Sequence, residues 1–86
     1  MIAVTRFNNE TWIQNASYRE KQSNSGCIYG CSLSINSSVP PDTIIYVLEM
    51  NNSTNKIMGI GRIKNKKYAR ENIYTSGEYN RHIYKG

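Results

Sequence analysis

A small α+β domain is the fold class this sequence predicts: one main N-terminal helix packed on a small, curved, mainly antiparallel sheet or partial β-barrel. Three observations point there. The chain has 86 residues, which is room for a single core spanning 1–86. Helix-starting chemistry followed by an amphipathic stretch occurs once, near residues 8–22. Short alternating or β-branched runs occur repeatedly, at 2–6, 27–35, 43–50 and 56–64, with turn residues between them.

The first run, 2–6, is β-branched and leads into Asn8-Asn9, whose side chains suit the cap of a helix beginning near Glu10. Trp12, Ile13, Ala16 and Tyr18 form its apolar stripe, and Ser23-Asn24-Ser25-Gly26 breaks it. Residues 27–35 alternate as a strand, with Cys27, Tyr29, Cys31 and Leu33 on one face. Pro40-Pro41-Asp42 enforces a loop. Residues 43–50 are almost continuously apolar, as in a central strand covered on both faces. Residues 51–55 carry turn chemistry, and 56–64 complete an antiparallel hairpin. Gly59 and Gly61 share a face of that last strand, which calls for a bend or a closely approaching group. Residues 66–80 read as an irregular, partly helical loop. Residues 81–86 begin a further extended segment that stops early, as in a domain truncated before its last strand or one that borrows a strand from a partner.

Composition excludes several classes. No apolar run reaches the ~18 residues of a membrane span, and residues 1–7 lack the features of a signal peptide, so no membrane partner and an intracellular address are expected. Asn-x-Ser/Thr triplets such as Asn9-Glu10-Thr11 are then chance in a chain rich in Asn. Cys27 and Cys31 would stand about 13 Å apart in a strand, beyond the roughly 7 Å that a disulfide spans. With His82 as the single histidine, neither zinc nor another cofactor is expected. No nucleophile elbow, phosphate-binding loop or metalloprotease motif occurs, so the chain is not expected to be an enzyme. Glu49 interrupts an apolar strand and is expected either on an exposed face or held by a cation such as Arg62 across the hairpin.

Charge is informative by position. Seven basic residues and two acids lie from Arg62 onward, and the four basic residues before it balance four acids. The net +5 therefore sits in the last third, where Tyr68, Tyr74, Tyr79 and Tyr84 are interleaved with it. Basic residues among aromatics suit both phosphate attraction and base stacking. A solvated basic face over strand tyrosines is an equally weighted reading.

The order of strand, Asn-containing turn, helix, aromatic strand, apolar strand and Gly-rich strand resembles the PUA-like superfamily, in particular its EVE, YTH and ASCH-type domains. Three stretches carry the resemblance: Val4-Thr5-Arg6-Phe7-Asn8-Asn9, Gly26-Cys27-Ile28-Tyr29-Gly30-Cys31, and the hairpin around Met58-Gly59-Ile60-Gly61. The Thr5–Trp12 opening and the Glu49–Ile57 hairpin are also similar to proteins of large nuclear-cytoplasmic DNA viruses, which would place the chain in host cytoplasm or nucleus. The weighting toward Ile, Asn, Lys and Tyr agrees with an AT-rich genome. The resemblance implies a module that binds nucleic acid, DNA or RNA, and reads a modified base in an aromatic pocket. Asn8, Tyr29, Trp12, Tyr68 and Tyr74 are its candidate base-binding residues, and Arg6, Lys64, Lys66, Lys67 and Arg70 its candidate phosphate-binding residues. Tyr29 stands where the family carries a Trp. The rival expectation is a structural or interaction protein that pairs, as a homodimer or with a partner, through an open C-terminal edge at 81–86. A nuclease, by analogy with PUA-like relatives, ranks third.

Overall fold

A computed structural model describes residues 1–22 and 26–86. Its elements are β1 (Ile2–Phe7), α1 (Asn9–Lys21), β2 (Ile28–Cys31), β3 (Ile44–Asn51), β4 (Lys56–Lys64), a 3-10 turn at Gly77–Asn80, and β5 (His82–Lys85). The strands form two sheets, not one curved sheet: β1-β3-β4 in spatial order, and β2-β5. β3 and β4 are the expected antiparallel hairpin. β1 pairs parallel to β3, with Ile2 opposite Tyr46 and Phe7 opposite Asn51. The intervening helix and β2 supply the long connection that parallel neighbours require.

α1 starts where its caps dictate. The Asn8 side-chain oxygen accepts from the Thr11 N–H at 2.8 Å, and the Thr11 hydroxyl accepts in turn from the Asn8 N–H at 3.0 Å. This reciprocal capping box satisfies two otherwise orphaned donors. The buried residue of the helix is Asn15, whereas Ile13 of the expected apolar stripe is exposed. The Asn15 amide donates to the Ile28 carbonyl at 2.8 Å and to the Tyr74 hydroxyl at 3.0 Å, so hydrogen bonds replace an apolar contact. Apart from Gly26, the expected helix stop lies outside the described residues.

β2 ends at Cys31, four residues short of the expected limit. Its partner runs out there, because Cys31 sits opposite His82, the first residue of β5. β3 is not covered on both faces: Ile45 and Val47 are buried, but Tyr46 between them is exposed. The core is thus one-sided, lying between the two sheets and built from Phe7, Ile28, Tyr29, Ile45, Val47, Ile63, Ile73, Tyr74, Ile83 and Tyr84. Both cysteines are free.

The barrel does not close. Between β1 and β2 an apolar gap of about 180 Å³ opens, lined by Ala3, Thr5, Cys31, Leu33 and Ile35. β5 is flanked on both sides within the chain, by β2 and by the Tyr68 N–H, which donates to the Ile83 carbonyl at 2.9 Å. The edge expected to be open at 81–86 is therefore paired with β2 on one side and met at Ile83 on the other. Among the described residues, no helix is long and apolar enough to cross a membrane.

Glu49 faces inward, where Gly59 lies opposite it on β4. Its carboxylate accepts a short hydrogen bond from the Tyr29 hydroxyl, so a phenol holds it and not Arg62, which lies opposite Tyr46. The two glycines make the room. A Cβ at Gly59 would approach Glu49 Oε1 to 2.9 Å, and one at Gly61 would overlap the Tyr29 hydroxyl. That is the close approach for which the paired glycines called.

Candidate nucleic-acid interface

The structure divides the candidate site residues among three places. Tyr29 and Trp12 belong to the core. Tyr29 is 3% exposed and its hydroxyl is engaged by Glu49, which closes its ring to a base. Burial and the carboxylate both push its phenol pKa up, burial more. Trp12 packs edge-on against Phe7, with ring centroids 5.3 Å apart. An aromatic wall built on Tyr29 is therefore absent, because this ring was needed to fill the space between the sheets.

Arg6, Asn8 and Tyr74 do meet, in a pocket of about 120 Å³ shared with Thr11, Gly30 and Tyr79. It lies at the C-terminal end of β1. The Asn8 side-chain oxygen is committed to the helix cap. Tyr74 is buried, its hydroxyl bonded to Asn15, and its pKa is raised by burial to about 12. Its ring meets Tyr79 edge-on at 6.5 Å. This volume falls below the roughly 300 Å³ at which ligand pockets begin.

Lys64, Lys66 and Tyr68 meet at the other end of the sheet, in a cleft of about 330 Å³ also lined by Asp42, Arg62, Ile63, Lys85 and Gly86. β3 separates the two pockets: Ile44 lies opposite Lys64, and Asn51 lies beside Phe7. Eight strand residues span roughly 23 Å, so one nucleotide cannot touch Asn8 and Tyr68 together.

Local structure explains the cleft. As β4 ends, the Asn65 side chain donates to the Val39 and Pro40 carbonyls at 3.0 and 3.1 Å, and the Asn65 N–H donates to the Thr43 carbonyl at 2.9 Å. These bonds tie the proline loop to the strand exit and set Asp42 at the rim. The backbone bridge from Tyr68 to Ile83 then holds the Tyr68 ring beside β5, where it remains 41% exposed. Lys66 Nζ stands 5.5 Å and Lys85 Nζ 5.2 Å from its centroid, both within cation–π reach. Lys85 is steadied from behind by Glu71 at 2.5 Å, and Glu71 also accepts from the Tyr18 hydroxyl at 2.6 Å. The hydrogen bonds from Lys85 and Tyr18 hold the Glu71 carboxyl below its ordinary range, and the bond to Glu71 lifts the Tyr18 phenol to about 12.

Four cations and one carboxylate thus line a cleft holding an exposed aromatic ring. Of the remaining phosphate-binding candidates, Lys67 is exposed beside the cleft, and the Arg70 guanidinium donates to the Gly77 carbonyl at 3.2 Å, away from it. Lys85, Arg62, Asp42 and Asn65 were not singled out as site residues by their sequence positions. Alternation with Lys64 along the expected strand at 56–64 would have been a usable signal for Arg62. Lys85 gives none, because its place depends on the β2-β5 pairing. Among the described residues no three of His, Cys, Asp and Glu gather as a metal site. The chain matches no family model, no curated protein and no solved structure.

Proposed function

We propose that this protein is a nucleic-acid-binding module that takes a single strand at the Tyr68 cleft, stacking a base on Tyr68 and holding neighbouring phosphates with Lys64, Lys66 and Lys85. One observation carries the reading: an exposed ring stands within cation–π reach of two ammonium groups in a cationic cleft of about 330 Å³. Phosphates supply sequence-independent attraction, and an aromatic face stacks any unpaired base. A duplex keeps its bases stacked and offers none to the ring, so single strands are preferred.

One exposed ring does not make a cage, so this reading carries no preference for a modified base. A relation to PUA-like domains, and to the viral proteins with a similar opening, belongs to the same proposal. The order of strand, helix, strand and hairpin supports that relation; the open barrel and the buried Tyr29 weigh against it.

Fluorescence anisotropy with labelled single- and double-stranded oligonucleotides, methylated and unmodified, tests the reading. Loss of one base stack is worth about 1–3 kcal/mol, so Tyr68→Ala should bind single strands ~5- to ~150-fold more weakly. Tyr79→Ala, which alters an exposed tyrosine of the smaller pocket, should bind like wild type. Equal affinity of the wild type and Tyr68→Ala would refute the cleft as the site.

A further inference from the structure

We propose that the outer face of the β1-β3-β4 sheet is a dimer interface, occupied by the same face of a second copy of this chain. The registers define three rows on it. Ile2, Tyr46 and Arg62 lie side by side at one end, Val4, Leu48 and Ile60 across the middle, and Arg6, Met50 and Ile57 at the other end. The core residues Ala3, Phe7, Ile45, Val47 and Ile63 alternate with these and point to the opposite face. The outer face is consequently bare: Ile2, Val4, Tyr46, Ile57, Met58 and Ile60 each expose between 43% and 71% of their surface.

Area argues for a stable occupant. At roughly 150–200 Å² per large side chain, those six fractions amount to on the order of 600 Å² of mostly apolar surface. That is the upper end of the largest patch a monomer leaves bare. It is about a tenth of the chain's 5614 Å², the share that each partner commits to a standard interface of ~800 Å² a side. An 86-residue chain with a one-sided core also gains most from a second layer.

Charge argues that the occupant is another copy. The two cations of these rows, Arg6 and Arg62, stand at diagonally opposite corners, with an aliphatic centre between them. Sheets pack face to face with their strands nearly aligned, and two such two-fold arrangements exist about Leu48. An axis along β3 sets each Arg6 over an Ile57 and each Arg62 over an Ile2. An axis across the strands sets each Arg6 over an Ile2 and each Arg62 over an Ile57. Neither brings arginine against arginine, and in both the aliphatic stems of the arginines cover isoleucine. An acidic partner would find no cation in the middle of the face.

Sedimentation equilibrium on the full chain tests this. At ~100 µM, where a micromolar complex is formed, the wild type should show about twice the monomer mass of 9.9 kDa. Ile60→Glu, in the middle row, and Ile2→Glu, in an end row, should each weaken dimerisation at least ~100-fold, since each would bury an unpaired carboxylate. Both positions are exposed in the monomer, so far-UV circular dichroism should be unchanged; if one variant misfolds, the other decides. A monomeric wild type at that concentration would overturn the proposal. So would a dimer that survives both substitutions, because it would pair elsewhere, for instance through the free edge of β1.

Discussion

Replacing Gly61 by alanine should be among the most damaging single-methyl changes this chain can suffer. A Cβ there would overlap the Tyr29 hydroxyl, reach 2.9 Å from its Cζ and 3.1 Å from Cys27 Sγ. Tyr29 is buried, so the ring cannot swing into solvent, and its hydroxyl must leave the Glu49 carboxylate. Losing a hydrogen bond to a charged acceptor costs roughly 1.5–3 kcal/mol, and overpacking adds about 1–3 kcal/mol. A loss of about 3–5 kcal/mol follows, against a total of roughly 4–13 kcal/mol for a chain of this length. Thermal unfolding followed by circular dichroism should show Tm lower by about 15–30 °C. Tyr29→Phe in the same chain removes the overlapping oxygen, so the double variant should be more stable than Gly61→Ala alone, a coupling of at least ~1 kcal/mol. Without the overlap the sign would reverse, since alanine in a strand interior is favoured over glycine by roughly 0.5–1 kcal/mol. A Gly61→Ala protein that melts at or above the wild-type temperature would refute the packing described here.

Three further outcomes are expected. Gly59→Ala should cost only about 1 kcal/mol, because the atom it meets, Glu49 Oε1 at 2.9 Å, is the end of a side chain that can give slightly while its other oxygen, Oε2, keeps the Tyr29 bond; urea unfolding that ranks it level with Gly61→Ala would contradict this. Asn80 is buried, and its side chain accepts from the Ile73 and Tyr74 N–H groups at 3.0 and 2.9 Å and donates to the Tyr74 carbonyl at 2.8 Å. Asn80→Ala orphans three backbone groups and should destabilise by about 3 kcal/mol in the same assay. For Glu71 the folded-state pKa lies below its ordinary 4.5, so the unfolded chain takes up the proton first as pH falls. Its contribution is present above that value and lost as pH drops through the folded one. Melting curves from about pH 6 to pH 3 should therefore show a smaller acid loss of Tm for Glu71→Gln than for wild type, and parallel curves would contradict the Lys85–Glu71–Tyr18 arrangement.

The parts of the fold that were legible in the sequence are those decided locally. The β3–β4 hairpin follows from turn residues between two apolar runs, and α1 from Asn8 and the residues after it. Parallel pairing of β1 with β3 was not legible, because it joins segments more than forty positions apart. Nor was the one-sided burial of β3: an apolar run looks the same whether its second face meets a helix, a partner or solvent. The abundant asparagines, attributable in part to base composition, are also structural, since Asn8 caps, Asn65 ties a loop, and Asn15, Asn51 and Asn80 are buried. At the site, Lys64, Lys66 and Tyr68 were readable together because five positions of chain hold them. The base-binding set was not, because Tyr29 was needed in the core and Asn8 lies at the far end of the sheet from Tyr68.

The salt dependence of single-strand binding decides whether the Tyr68 cleft holds phosphates. Phosphates held by Lys64, Lys66 and Lys85 predict a slope of log K against log salt of about −2 for a single strand, and each cation removed should flatten it by about 0.7. With Lys64→Ala/Lys66→Ala the slope should therefore be near −0.7, with weaker binding at low salt. A wild-type protein that leaves oligonucleotides unbound at low salt, or a slope unchanged in that double variant, would contradict it.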